Sequence, residues 1–144
     1  MDWGYIYTSF EGRLNRESFC VSSALLLIVA AALQSLAADV LGTFGALIFA
    51  IVWLYPALAL SLKRAHDRNI PTWLVALFFT FAIMSVLLWP FKIGRLGEVP
   101  MPLFLMAAVP ALLLGIFLFV ELTFLRGTGG PNRYGPDPLA HANS

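Results

Sequence analysis

IPTWLVALFFTFAIMSVLLWPF, residues Ile70–Phe91, runs for 22 residues without a charged side chain. A helix needs about 20 apolar residues to cross the hydrocarbon core of a bilayer. The stretch therefore reads as a membrane-spanning helix, opened by Pro71 and Trp73 and closing at Pro90. Working outward, no charge falls between Glu17 and Asp39, between Asp39 and Lys63, or between Glu98 and Glu121. Each of those gaps is again roughly the length of one crossing. The expectation is one integral membrane domain over residues 1–144, with spans near 18–38, 41–62, 70–91 and 100–122 and a tail over 126–144. The fold class is all-α: an integral membrane four-helix bundle with a short N-terminal interfacial segment.

Composition agrees. Hydrophobic residues make up 60% of the chain and charged residues 12%, against about 45–50% and about 25% in soluble domains. A water-soluble fold of this size could not hide so much apolar surface. A net charge of +1 gives no electrostatic footprint for nucleic acid. The single cysteine, Cys20, excludes an internal disulfide. The first apolar run is longer than the 7–15 residues of a signal-peptide core, so it is expected to stay in the chain as a span.

Local signals refine the outline. Trp3, Ile6 or Tyr7, and Phe10 stand at helical spacing with rings suited to the headgroup region, and Gly12 ends that segment. Asn15 is placed to cap the first span, with Glu17 in its first turn. A tight turn around Asp39 and Gly42 makes the first two spans a hairpin. Pro56 and Pro110 are expected to bend their helices, because proline donates no hydrogen bond and crowds the preceding turn. Pro100 and Pro102 fit the first turn of the last span. The tail, with Gly127, Gly129, Gly130, Pro131, Asn132, Gly135, Pro136 and Pro138, reads as turns or an extended arm.

Orientation follows from lysine and arginine near the span ends. Arg13, Arg16, Lys63, Arg64, Arg68, Arg126 and Arg133 fall on one side, Lys92 and Arg95 on the other. The richer side is expected to be cytoplasmic, with both termini there.

That side also gathers the polar clusters: Arg13 and Arg16, then Arg64, His66 and Asp67, then Asn132, Arg133 and Tyr134. Guanidinium forks fit phosphate, so an anionic lipid headgroup, a small phosphorylated ligand or a membrane or cytoplasmic partner protein would be bound there. The positive-inside rule accounts for the same arginines with no ligand, and Asp67 can pair with Lys63 or Arg64 along one helix. Glu121 is expected at headgroup depth beside Arg126. His66 and His141, the only histidines, lack metal-ligand spacing, so neither a metal nor a cofactor is expected. A His66–Asp67 base has no presented nucleophile, and the spans hold almost no ionisable residue of the kind transporters use. The expectation is a binding or interaction protein, with a transport or export component and a lipid-modifying enzyme as alternatives. If the polar clusters act together, the Asn132–Pro136 arm folds back onto the His66–Asp67 end of span two. An arginine among Arg13, Arg64 and Arg133 would then bond Asp67.

Three blocks carry a resemblance: Phe10-Glu11-Gly12-Arg13-Leu14-Asn15-Arg16-Glu17-Ser18-Phe19, Lys63-Arg64-Ala65-His66-Asp67-Arg68-Asn69 leading to Trp73, and Gly129-Gly130-Pro131-Asn132-Arg133-Tyr134-Gly135-Pro136-Asp137-Pro138. The chain resembles a family of small bacterial inner-membrane proteins catalogued as domain of unknown function 805. It departs from the family pattern at Cys20, at Ala65 and at Ile70-Pro71-Thr72. The resemblance implies a multi-pass protein of the bacterial inner membrane and supplies no activity.

Overall fold

The computed structural model describes residues 3–92 and 98–139, apart from the side chain of Lys92. Four helices appear in order: α1 (Trp3–Thr8), α2 (Arg16–Asp67), α3 (Thr72–Lys92) and α4 (Met101–Thr123). The last three are long and apolar enough to cross a membrane. Arg95, and His141 in the tail, lie outside the described residues.

At 52 residues, α2 would stretch about 78 Å if straight. It does not, because its ends touch: the Leu14 N–H donates to the Lys63 carbonyl at 3.2 Å. Near the middle, Gln34 Nε2 donates to the Ala46 carbonyl at 2.9 Å. The reversal is concentrated at Gly42, whose φ of 65° and ψ of −159° are the one non-helical pair inside α2. That backbone region is essentially reserved for glycine. The expected hairpin is thus made by a single residue, leaving two arms of roughly 25 residues, or about 37 Å each. The arms, α3 and α4 supply the four rods of the bundle, with α3 against α4, and α2 against α1, α3 and α4.

Asn15 caps α2 as its sequence position predicts, its Oδ1 accepting from the Ser18 N–H at 2.8 Å. Pro102 stands in the first turn of α4. The expected bends at Pro56 and Pro110 do not break their helices: α2 and α4 continue without a non-helical residue at either proline.

Burial is lopsided. The packed core comprises Ile6, Leu14, Phe19, Leu60, Ala65, Ile70, Val75, Phe79, Leu118 and Leu122, gathered toward the end of the bundle where α2 starts and finishes. Ile6 is 4% exposed, so α1 is docked into the bundle as well as carrying exposed rings at Trp3 and Tyr5. Elsewhere the helices show large apolar side chains outward; only 6% of the most apolar window of α2 is buried within the protein. Helices apolar on every face need an apolar surrounding.

Candidate functional site

The last turn of α2 buries five consecutive residues: Lys63, Arg64, Ala65, His66 and Asp67. A surface helix buries one face; this turn is enclosed all round because each polar side chain is claimed by a different part of the chain. Lys63 Nζ donates to the carbonyls of Tyr5 and Ile6, each at 2.6 Å. It thereby gives the Ile6 carbonyl a donor at the end of α1 and adds a second to the Tyr5 carbonyl, which also accepts from the Ser9 N–H at 3.2 Å. Arg64 does the same for α4. Its Nε donates to the Leu122 carbonyl at 2.9 Å, and Nη2 donates to the Leu125 carbonyl. A cation at the negative end of a helix is favourable on dipole grounds as well.

Asp67 is the hub. Its Oδ2 accepts from Arg64 Nη1, and its Oδ1 accepts from Arg13 Nη2 at 2.9 Å and Arg13 Nε at 3.1 Å. The three side chains are 0%, 4% and 1% exposed for Arg64, Asp67 and Arg13. Two guanidinium groups against one carboxylate leave an excess positive charge in a dry site, which would be costly if only charge pairing compensated it. Backbone oxygens supply the rest. Arg13 also donates to Thr128 O at 2.6 Å, Gly130 O at 2.7 Å and Gly135 O at 3.4 Å. Every N–H of that guanidinium has an acceptor within the protein.

The same hub holds the tail. Thr128 donates to the Asp67 carbonyl through its N–H at 2.8 Å and its hydroxyl at 2.9 Å. Asn132 Nδ2 donates to the His66 carbonyl at 2.9 Å. Its Oδ1 accepts from the Tyr134 N–H at 2.9 Å, closing a turn that Asn132 and Gly135 complete with paired backbone bonds. The turn lays the Tyr134 ring flat on His66, with centroids 4.0 Å apart and planes at 11°. His66 Nδ1 lies 3.0 Å from the Gly12 carbonyl, an acceptor, so Nδ1 carries the proton. Gly127 is required by contact: a Cβ there would overlap the Asp67 carboxylate. At the tail's end Asp137 accepts from the N–H groups of Leu139 and Gly130, in that order of effect, which hold its carboxyl below the ordinary carboxylate range.

Of the residues singled out by sequence, Arg13, Arg64, His66, Asp67, Asn132 and Tyr134 meet in this cap. Arg16 and Arg133 stand exposed around it, Arg133 over the Tyr134 ring at 4.6 Å. Of the two partners along its own helix that sequence offered Asp67, Arg64 makes the pair, and Lys63 reaches the end of α1 instead. Two expectations need correction. Glu121 pairs with Arg68 Nη2 at 2.8 Å rather than with Arg126. Arg13 and Arg64 are not available as phosphate forks, since the protein's own oxygens consume them. Lys63 as a cap and Thr128 as a tail anchor went unrecognised, because their partners are backbone carbonyls far away in sequence, which carry no side-chain signal. Among the described residues no group of three or more His, Cys, Asp or Glu could hold a metal ion. Beside the cap lies a cleft of about 440 Å3 lined by Arg16, Glu17, Arg126, Asp137 and Leu139, among others.

Comparison with known proteins agrees with the three sequence blocks. The family model described as a protein of unknown function, DUF805, matches residues 7–136. The chain is 30% identical to the uncharacterized protein YiiR of Escherichia coli K12 over 139 residues, covering 90% of this chain and 85% of that protein. The YiiR of Escherichia coli O157:H7 matches to the same extent. No solved structure matches. The chain belongs to the DUF805 family.

Proposed function

We propose that this DUF805 member is a multi-pass protein of the bacterial inner membrane that binds anionic lipid headgroups at its cytoplasmic face. In this reading the two arms of α2 together with α3 and α4 make four crossings, and both termini are cytoplasmic. The lysine and arginine asymmetry supports the orientation. The observation that carries the binding reading is the division of labour among arginines. Arg13 and Arg64 are buried and used up in the cap, while Arg16, Arg126 and Arg133 are exposed around the same end. The cap fixes the backbone from which the exposed arginines project. Cations at headgroup depth attract anionic lipid by about 1 kcal/mol each.

The reading is of a binding protein, because the Asp67 carboxylate is buried and both of its oxygens are engaged by the guanidinium groups of Arg13 and Arg64. A transport reading would use the groove of about 410 Å3 lined by Gln34, Thr43, Ser85, Trp89 and Phe104, among others. That lining holds no ionisable residue, and the donors of Gln34 and Ser85 are engaged by the carbonyls of Ala46 and Phe81.

Native mass spectrometry of the purified chain tests the binding claim. Phosphatidylglycerol should be retained over phosphatidylcholine, and Arg16→Gln, Arg126→Gln and Arg133→Gln together should remove the preference. Equal retention of the two lipids by the unaltered protein would refute it. A reporter fused to the C-terminus should be active in the cytoplasm; a periplasmic signal would overturn the orientation.

A further inference from the structure

The cleft beside the cap carries charges of both signs, and they divide into spent and unspent. Asp67 is spent on Arg13 and Arg64, and Asp137 accepts from two backbone N–H groups. Arg16 makes one long bond, from Nη1 to the Phe124 carbonyl at 3.4 Å. The side chains of Arg126 and Glu17 have no hydrogen bond or ion pair among the described residues. Arg16, Glu17 and Arg126 are all exposed and all line the cleft. Two open guanidinium groups call for a phosphate. Glu17, unpaired beside them, can in addition accept a charge-assisted hydrogen bond from a cationic N–H group on the same ligand.

From these placements the geometry points to a phosphate ester bearing a primary ammonium group, a phosphoethanolamine unit, as the ligand of this cleft, its phosphate on Arg16 and Arg126 and its ammonium on Glu17. This deepens the lipid-headgroup reading and rests on it. At about 440 Å3 the cleft falls in the range of small-ligand sites, about 300–1,000 Å3. Leu139, 51% exposed, lines it, and Phe124, 59% exposed, stands beside Arg16. Acyl chains leaving the headgroup would meet these apolar side chains. Choline esters share the phosphate but carry no N–H for Glu17 to accept, so the cleft should discriminate between the two headgroups.

The full chain is purified with an equal mixture of phosphatidylethanolamine, phosphatidylglycerol and phosphatidylcholine, and bound lipid is read by native mass spectrometry. The expected result is several-fold retention of phosphatidylethanolamine over phosphatidylcholine. Glu17→Gln should bring phosphatidylethanolamine down to the phosphatidylcholine level while phosphatidylglycerol stays bound, and Arg16→Gln with Arg126→Gln should lower both. If Glu17→Gln releases phosphatidylglycerol as well, its fold is compromised and Glu17→Asp decides: a preserved ethanolamine preference supports the proposal, and its loss overturns it. Equal retention of ethanolamine and choline lipids, or unchanged ethanolamine retention in Glu17→Gln, also overturns it. Either result can stand with phosphatidylglycerol preferred, which keeps this failure separate from failure of the anionic-lipid reading. Displacement by soluble O-phosphoethanolamine assigns the free ester as the source; retention against it assigns the lipid.

Discussion

At the Gly42 end of α2, Val40, Leu41 and Phe44 are 70%, 65% and 66% exposed, and Asp39 projects outward. At the other end, Arg64 and Asp67 are 0% and 3% exposed, and Lys63 and Ala65 are buried with them. A soluble protein would show the reverse, with apolar side chains buried and charges outside. In lipid, an apolar side chain gains little by leaving acyl chains for another helix, so helices are held by close packing and by polar groups with no solvent to turn to. The polar end is therefore where this chain is fastened, and the apolar end is where it is merely covered.

Removing the hub tests that contrast most severely. Asp67→Ala would leave two guanidinium groups buried without a counter-charge, a loss of about 3–5 kcal/mol. Asp39→Ala at the open end should stay within about 0.5 kcal/mol. Thermal unfolding in detergent compares them directly, and similar melting losses would erase the distinction between the ends. Next in size is Gly127→Ala. Its methyl group would push into the Asp67 carboxylate, for about 1–3 kcal/mol, whereas Gly129→Ala meets open space and should be neutral or slightly stabilising. Lys63→Met would take the ammonium donor from the Tyr5 and Ile6 carbonyls and leave that of Ile6 unpaired, at about 1–3 kcal/mol. Hydrogen exchange should then report faster opening of Trp3–Thr8 with little change in α3 and α4.

The smallest effect is a pH response of the tail. The folded Asp137 carboxyl is held below its unfolded value, about 3.9, so its contribution is complete above that value and fades as pH falls through the lower, folded one. Exchange protection of the Gly130 and Leu139 amides should drop on acidification below about pH 4. Asp137→Asn should already lack that step at neutral pH.

The bundle was legible because lipid imposes a simple rule, and four charge-free runs of bilayer length obey it. The hairpin was legible in outline; that Gly42 alone makes it was not, because glycine at a turn and glycine inside a helix look alike in sequence. Within the cap, Arg13 and Asp67 could be named as possible partners because opposite charges on one membrane face have few alternatives. The roles of Lys63 and Arg64 as helix caps were hidden, since a carbonyl acceptor has no residue type. Arg68 and Glu121 were hidden differently. Their pair is about one-fifth exposed, and surface pairs of that kind are weak enough for sequence to leave the choice of partner open.

The central claim is that the tail is held on the end of α2 by Asp67. With Cys20 replaced by serine, spin labels at the exposed positions Thr72 and Arg133 report the separation of the two segments by electron–electron resonance. The account predicts a short, narrow distance distribution that broadens and lengthens in Asp67→Ala. A broad distribution with Asp67 intact, or a narrow one that survives Asp67→Ala, would contradict it.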